Sequence, residues 1–213
     1  MSTPTPSRIE RRNLCELFLK IGPDAPTLCE GWTTTDLAAH LVIREHNLLS
    51  TPGIMLPGPF AALTERILVK TKSTHSYEEL VATIGSGPPL LWRPMDAMVN
   101  LAEYFVHHED VRRGDGNNTP RPLAAVKVVE DALWRMLTRG GKLLTRKFKG
   151  FGLDLVRDGG DTVHARTGDQ VAILTGRPGE LILYLMGRKT AAQVEFAGPD
   201  EALAALRATP FGA

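Results

Sequence analysis

Hydrophobic residues in the first two thirds of the chain recur every three or four positions, the spacing of one face of an α-helix. Prolines and glycines interrupt this pattern, most densely in TPGIMLPGP, residues 51–59, and GSGPP, residues 85–89. The pattern predicts six helices: one capped by Ser7 and Glu10 that ends near Gly22, one opened by Thr33 and Asp36, one over about 60–72, a short one around 77–84, one from near Pro94 to Gly114, and one from Pro122 to the glycines at 140 and 141.

Beyond Phe148 the pattern changes to short runs that alternate between apolar and polar residues and are separated by Gly and Asp. These runs predict three antiparallel strands, at residues 152–158, 161–166 and 170–174. A helix, a strand and a last helix are predicted to follow, at about 178–187, 192–198 and 199–207.

The change of pattern predicts a chain that is mainly α with an α+β tail. A helical domain of residues 1–145 is expected to precede a small α+β domain of residues 146–213. The basic segment LLTRKFKG, residues 143–150, marks the boundary between them.

Composition narrows the classes of function. The 213 residues carry a formal net charge of +1 with a pI near 7.8, and Lys and Arg are scattered, which argues against a nucleic-acid partner. The sequence contains no apolar run of the length that a membrane span requires, and its first residues lack the apolar segment of a signal peptide, so a cytoplasmic protein is expected. Cys15 and Cys29 do not suggest a disulfide framework and are expected to be buried thiols.

The stretch LAEYFVHHEDVRRGDG, residues 101–116, places ionisable side chains within an apolar helical pattern. Glu103 and His107 are one helical turn apart and point the same way, whereas His108 is turned by about 100° toward another face. The pair is either part of a metal site or a solvated ion pair on the surface of the helix.

A metal site in a helical bundle draws its ligands from at least two helices, and His40 is the best third candidate. It lies on the second predicted helix beside the small residues Ala38 and Ala39, which allow another helix to approach. His46, His75 and His108 compete with His40 for this role, and a histidine on an apolar helix face is often a core residue instead.

A resemblance supports the metal site. The segment APTLCEGWTTTDLAAHLVIRE, residues 25–45, resembles the opening motif of the mycothiol-dependent maleylpyruvate isomerase family, whose N-terminal domains are DinB-like four-helix bundles that bind a metal; Glu30 stands where the family usually has proline. The resemblance implies a ligand at His40. The family's second motif implies ligands at Glu103 and His107, with Asp110 as a carboxylate behind them. GELILYLMGR, residues 179–188, resembles the family's C-terminal motif and implies that Arg188 reaches the metal cleft.

Two imidazoles and one carboxylate leave a coordination position open, as in catalytic sites. Zinc is the default ion, although Fe(II), Ni(II) and Mn(II) suit the same ligands. The resemblance implies that a low-molecular-weight thiol such as mycothiol is activated there, in an isomerase or an S-transferase that acts on a small electrophilic substrate. Arg188 would hold an anionic group of the substrate; its alternative role is an exposed arginine at a helix end.

Two other functions remain open at this point: a metal-binding protein without turnover whose C-terminal domain binds a small ligand, and a scaffold whose polar residues are solvated. Among the remaining residues, Asp110 either orients a ligand histidine or pairs with Arg113. Arg44 and His46 either line the cleft near His40 or face solvent, and we expect them to face solvent. Trp32 is expected to pack against the start of its helix. The sequence carries no feature that sets the oligomeric state.

Overall fold

The computed structural model describes residues 4–46, 59–87 and 93–212, with the side chains of residues 46, 59–64 and 93–99 excepted. The prolines and glycines of the predicted breaks at 51–58 and at 88–89 lie outside these ranges. The described residues form eight helices and four strands: α1 Pro6–Ile21, α2 Thr34–His46, α3 Pro59–Thr74, α4 Tyr77–Ser86, α5 Arg93–Arg112, α6 Leu123–Leu144, β1 Gly152–Arg157, β2 Thr162–Arg166, β3 Val171–Gly176, α7 Pro178–Leu185, β4 Glu195–Ala197 and α8 Asp200–Ala208.

The chain divides into two compact units, residues 1–117 and 118–213. In the first unit, α1 packs against α4 and α5, and α2 packs against α3 and α4. Leu14, Phe18, Leu37, Leu41 and Leu80 are fully buried in the core that these helices share. The predicted fold class, a helical bundle followed by a small α+β unit, is confirmed.

The second unit contains one sheet in the strand order β2-β1-β3-β4. The prediction that its first three strands are all antiparallel is wrong in one pairing, because β1 and β3 are parallel. Two reversals of the chain, before and after β2, return β3 to the direction of β1, and β3 then pairs with the free edge of β1 on the side away from β2.

The helix α6 continues past the glycines at which the sequence predicted its end. A Cβ at Gly141 would meet Val163 Cγ1 at 3.4 Å and Ala165 Cβ at 3.7 Å, which are ordinary contact distances, so α6 packs directly against β2 at this position. The structure places α6 in the second unit, whereas the sequence drew the division at residues 143–150. Where independently folding domains begin and end stays a prediction.

The two predicted capping boxes differ in outcome. At the start of α2, the Thr33 backbone N–H donates to Asp36 Oδ2 at 2.9 Å and the Asp36 N–H meets Thr33 Oγ1 at 3.5 Å, as predicted. The predicted capping box at Ser7 and Glu10 is wrong, because α1 starts one residue before Ser7 and both side chains are buried inside the unit. None of the helices that the structure describes is long and apolar enough to cross a membrane.

The segment before α2 is fixed against the end of α5. The Leu28 N–H donates to the Asp110 carbonyl oxygen at 3.0 Å, and a Cβ at Gly114 would lie only 2.0 Å from the Pro26 carbonyl oxygen. The backbone at Gly114 therefore approaches this segment more closely than any side chain would allow.

We predict that Gly114→Ala destabilises the protein by about 2 kcal/mol or more, because the added methyl group must push the 26–28 backbone away. Gly85→Ala is the matched control, since a Cβ there meets only Cys15 Sγ, at an ordinary 3.9 Å. Gly85 lies in α4, so its replacement is expected to be neutral or slightly stabilising. Urea unfolding of the three proteins checks the prediction, and equal midpoints for both variants would contradict it.

Candidate metal centre

His40 of α2 and the pair Glu103 and His107 of α5 converge on one point. His40 Nε2 lies 3.6 Å and His107 Nε2 lies 3.2 Å from Glu103 Oε1. One ligand atom from each residue lies within 4.8 Å of the others. The structure thus brings together the three residues that the sequence singled out, on two helices far apart in the chain.

The spacing of these atoms fits a small divalent cation. Bonds of about 2.0 to 2.1 Å in a tetrahedron require ligand atoms separated by about 3.3 Å. The two distances to Glu103 Oε1 bracket this value, at 3.2 and 3.6 Å. With three protein ligands, a fourth position stays open to water or a substrate atom.

Glu103 is charged although it is largely buried. Burial alone would raise its pKa, but hydrogen bonds to His107 and His40, together with the positive charges of His107 and Arg44, hold the pKa of Glu103 well below its usual range. Arg44 Nε lies 3.1 Å from the same Oε1 atom. Nitrogen atoms of His40, Arg44 and His107, from two helices, therefore all contact Glu103 Oε1. A cation bound there would have an ionised carboxylate as a ligand.

His107 is held through both ring nitrogens. Nε2 faces Glu103, and Nδ1 lies 2.9 Å from Oδ2 of the fully buried Asp110. Burial opposes the charged imidazole, but bonds to Asp110, Cys29 and Glu103 raise the pKa of His107 well above its usual range. Asp110 sets the orientation of the ring, and a metal ion at Nε2 would take the place of a proton there.

A second group of ligand-type atoms comprises Cys29, His107 and Asp110. Cys29 Sγ lies 3.3 Å and His107 Nδ1 lies 2.9 Å from Asp110 Oδ2. A separation of 2.9 Å is that of a charge-assisted hydrogen bond and is shorter than the edge of about 3.3 Å expected between zinc ligands. We therefore interpret this group as a hydrogen-bonded chain behind the first site.

The His40 ring packs beside two other rings. Its centroid is 5.2 Å from that of Trp32 and 5.4 Å from that of His107. Burial lowers the pKa of His40, and the Glu103 carboxylate only partly offsets this effect. His40 is thus held in the neutral form that binds metals. Trp32, expected only to pack the helix start, also forms a wall of the site.

The competing histidines lie elsewhere. His75 is exposed and bonds to its own helix end through Thr71 and Thr74, and His108 Nδ1 is bonded to the buried Glu10 at 2.8 Å. The side chain of His46 is outside the described residues. In the second unit, half-buried Arg188 donates through Nη1 to the Met186 carbonyl oxygen at 2.7 Å; its role in substrate binding stays a prediction.

Two residues of the site, Arg44 and Cys29, were misjudged from the sequence. The expectation that Arg44 faces solvent is wrong: its side chain is 18% exposed and also donates to Asn100 Oδ1 at 2.6 Å. Cys29, expected to be a buried structural thiol, is half-buried and bonded to Asp110. The sequence does carry one signal for Arg44, which is four residues after His40 and so on the same helix face.

Fold and site together define a helical bundle with a group of three residues that could hold a metal ion, followed by a small α+β unit. Two solved structures share this fold at TM-scores of 0.60 and 0.59, with 16% and 15% identity, over 90% of both chains. They are the mycothiol-dependent maleylpyruvate isomerase and a variant of that enzyme in which a histidine is replaced by alanine. The resemblance noted in the sequence is thereby confirmed at the level of the fold. No family model and no curated protein matches the chain.

We predict that Cys15 reacts slowly with alkylating reagents in the folded protein. Burial raises its pKa to about 11, so only about one thiol in a thousand is ionised at pH 8. Iodoacetamide labelling followed by mass spectrometry of the Cys15 peptide is expected to show little modification before denaturation and full modification after it. Rapid labelling of the native protein would contradict the burial of this thiol.

Proposed function

We propose that this protein is a metal-dependent enzyme that uses a low-molecular-weight thiol to isomerise, or transfer the thiol to, a small electrophilic substrate. The observation that carries the proposal is the convergence of His40, Glu103 and His107 at the spacing of ligands around one ion. The shared fold with a mycothiol-dependent isomerase supports mycothiol as the thiol. Zinc is the ion that we expect, with nickel, iron and manganese as alternatives.

A divalent cation at this site would lower the pKa of a bound thiol, so that the thiol is a nucleophile at neutral pH. The residues of the chain prepare the site for that role. Asp110 accepts from His107 Nδ1 and so leaves Nε2 to face the ion. His107 and His40, with a smaller contribution from Arg44, keep Glu103 ionised. The fixed positive charge of Arg44 would also favour an anionic sulfur nearby. The Trp32 ring shields one side of His40 from water.

For Arg188, we propose the binding of an anionic group of the substrate. An arginine suits a carboxylate because its guanidinium forms two parallel hydrogen bonds. The maleylpyruvate of the similar enzyme is a natural first substrate to assay, followed by general electrophiles such as chlorodinitrobenzene.

His40→Ala is expected to weaken metal binding by about 100-fold or more, since loss of a direct ligand costs at least as much as loss of an outer partner. The fold should survive, because His40 lies at the edge of the core beside Trp32. His75→Ala is the control, because His75 is exposed and its recorded hydrogen bonds are to Thr71 and Thr74, not to His40, Glu103 or His107. Metal analysis and competition titration check both variants. A His40→Ala protein that retains wild-type affinity would overturn the assigned ligand set.

Thiol binding distinguishes an enzyme from a protein that only holds a metal. We predict that mycothiol added to the cobalt-substituted protein produces a sulfur-to-cobalt charge-transfer band, because the open position accepts a thiolate. We further predict that the protein consumes the thiol or isomerises maleylpyruvate. Glu103→Gln should reduce the rate of this reaction by at least about 100-fold. A metal-loaded protein that shows neither the band nor turnover would instead be a metal-binding protein without catalysis.

A further inference from the structure

We propose that Cys29 is a positioning residue for the metal centre: its thiol donates to the carboxylate of Asp110 and so fixes the orientation of His107. This inference rests on the proposed function, because it assigns a role behind a metal ligand. Cys29 is assigned neither as a nucleophile nor as a ligand itself. It acts on the site through Asp110.

The geometry joins the three groups at one atom. Asp110 Oδ2 receives Cys29 Sγ at 3.3 Å and His107 Nδ1 at 2.9 Å. Asp110 is fully buried, so water does not hydrate this carboxylate, and each protein donor weighs heavily in its orientation. With the thiol in place, the oxygen that meets Nδ1 is fixed, and Nε2 keeps its direction toward Glu103.

The backbone holds the thiol where it is. The Cys29 N–H donates to Thr27 Oγ1 at 3.2 Å, and the same hydroxyl group donates to the Trp32 carbonyl oxygen at 2.9 Å, which closes the turn. The Leu28 N–H bond to the Asp110 carbonyl oxygen ties this turn to α5. These bonds fix the backbone of Cys29 beside α5, and from that position its Sγ reaches Asp110 Oδ2.

The other cysteine provides an internal contrast. Cys15 Sγ donates only weakly, at 3.7 Å, to the Val81 carbonyl oxygen in the core between α1 and α4. This recorded hydrogen bond of Cys15 involves none of His40, Glu103, His107 and Asp110. Removing Cys15 thus tests what loss of a thiol does to the bundle, without touching the ligands.

The experiment measures the cobalt affinity and the cobalt absorption spectrum of four proteins: the wild type, Cys29→Ala, Cys29→Ser and Cys15→Ala. We expect Cys29→Ala to bind Co²⁺ about tenfold more weakly, the size of effect typical of partners behind a ligand. Serine retains a donor, so Cys29→Ser should recover most of the affinity, and Cys15→Ala should match the wild type. Melting of the metal-free proteins identifies any general loss of stability, which a purely structural role would show without a change in affinity.

Three results would overturn the inference. Unchanged affinity in a folded Cys29→Ala protein is the first, and affinity in Cys29→Ser as weak as in Cys29→Ala is the second. If Cys29→Ala does not fold, Cys29→Ser decides alone, with affinity near the wild type in support and a clear loss against. The third result, no cobalt binding by the wild type, would remove the proposed function and the inference together, whereas the first two leave the proposed function intact.

Discussion

A single carboxylate oxygen, Oε1 of Glu103, is the point on which the rest of the site depends. Arg44 and His40 from α2 and His107 from α5 all direct nitrogen atoms toward it. Coulomb attraction is strong where water is scarce, so this one oxygen both joins two helices and keeps its own negative charge. The same charge that stabilises the contact between the helices is available to a metal ion. The structural role of Glu103 and the chemical role that we propose for it thus coincide in one side chain.

The consecutive ionisable residues of α5 are explained by the rotation of the helix. Successive side chains diverge by about 100°, so neighbours in the sequence serve different partners. His107 contributes to the site, His108 bonds to Glu10 of α1, and Glu109 forms ion pairs with Arg112 and Arg113. All are buried or nearly so, and each has a partner, as burial of charge requires. The interpretation of Glu103 and His107 as a solvated ion pair on the helix surface is therefore wrong.

Much of the helical part could be predicted because its signals are local. The apolar period, the box at Thr33 and Asp36, and the one-turn spacing of Glu103 and His107 need no knowledge of distant residues. What failed depended on tertiary contacts. The helix α6 continues through the glycines at 140 and 141, and β2 packs against it at Gly141. The position of Arg44 depended on Glu103 and Asn100, which lie more than fifty residues away in the chain.

The polar chemistry does not stop at the triad. Arg44 donates to Asn100, Asn100 donates to Glu45 Oε1 at 3.1 Å, and Glu45 is clasped by two nitrogens of Arg11 on α1. A continuous network of hydrogen bonds and ion pairs thus connects Glu103 to α1 through the interior of the bundle. Introducing the three ligand-type residues into an unrelated bundle would therefore reproduce only one end of this network. A designed copy of the site would also need the buried partners that extend from Arg44 to Arg11.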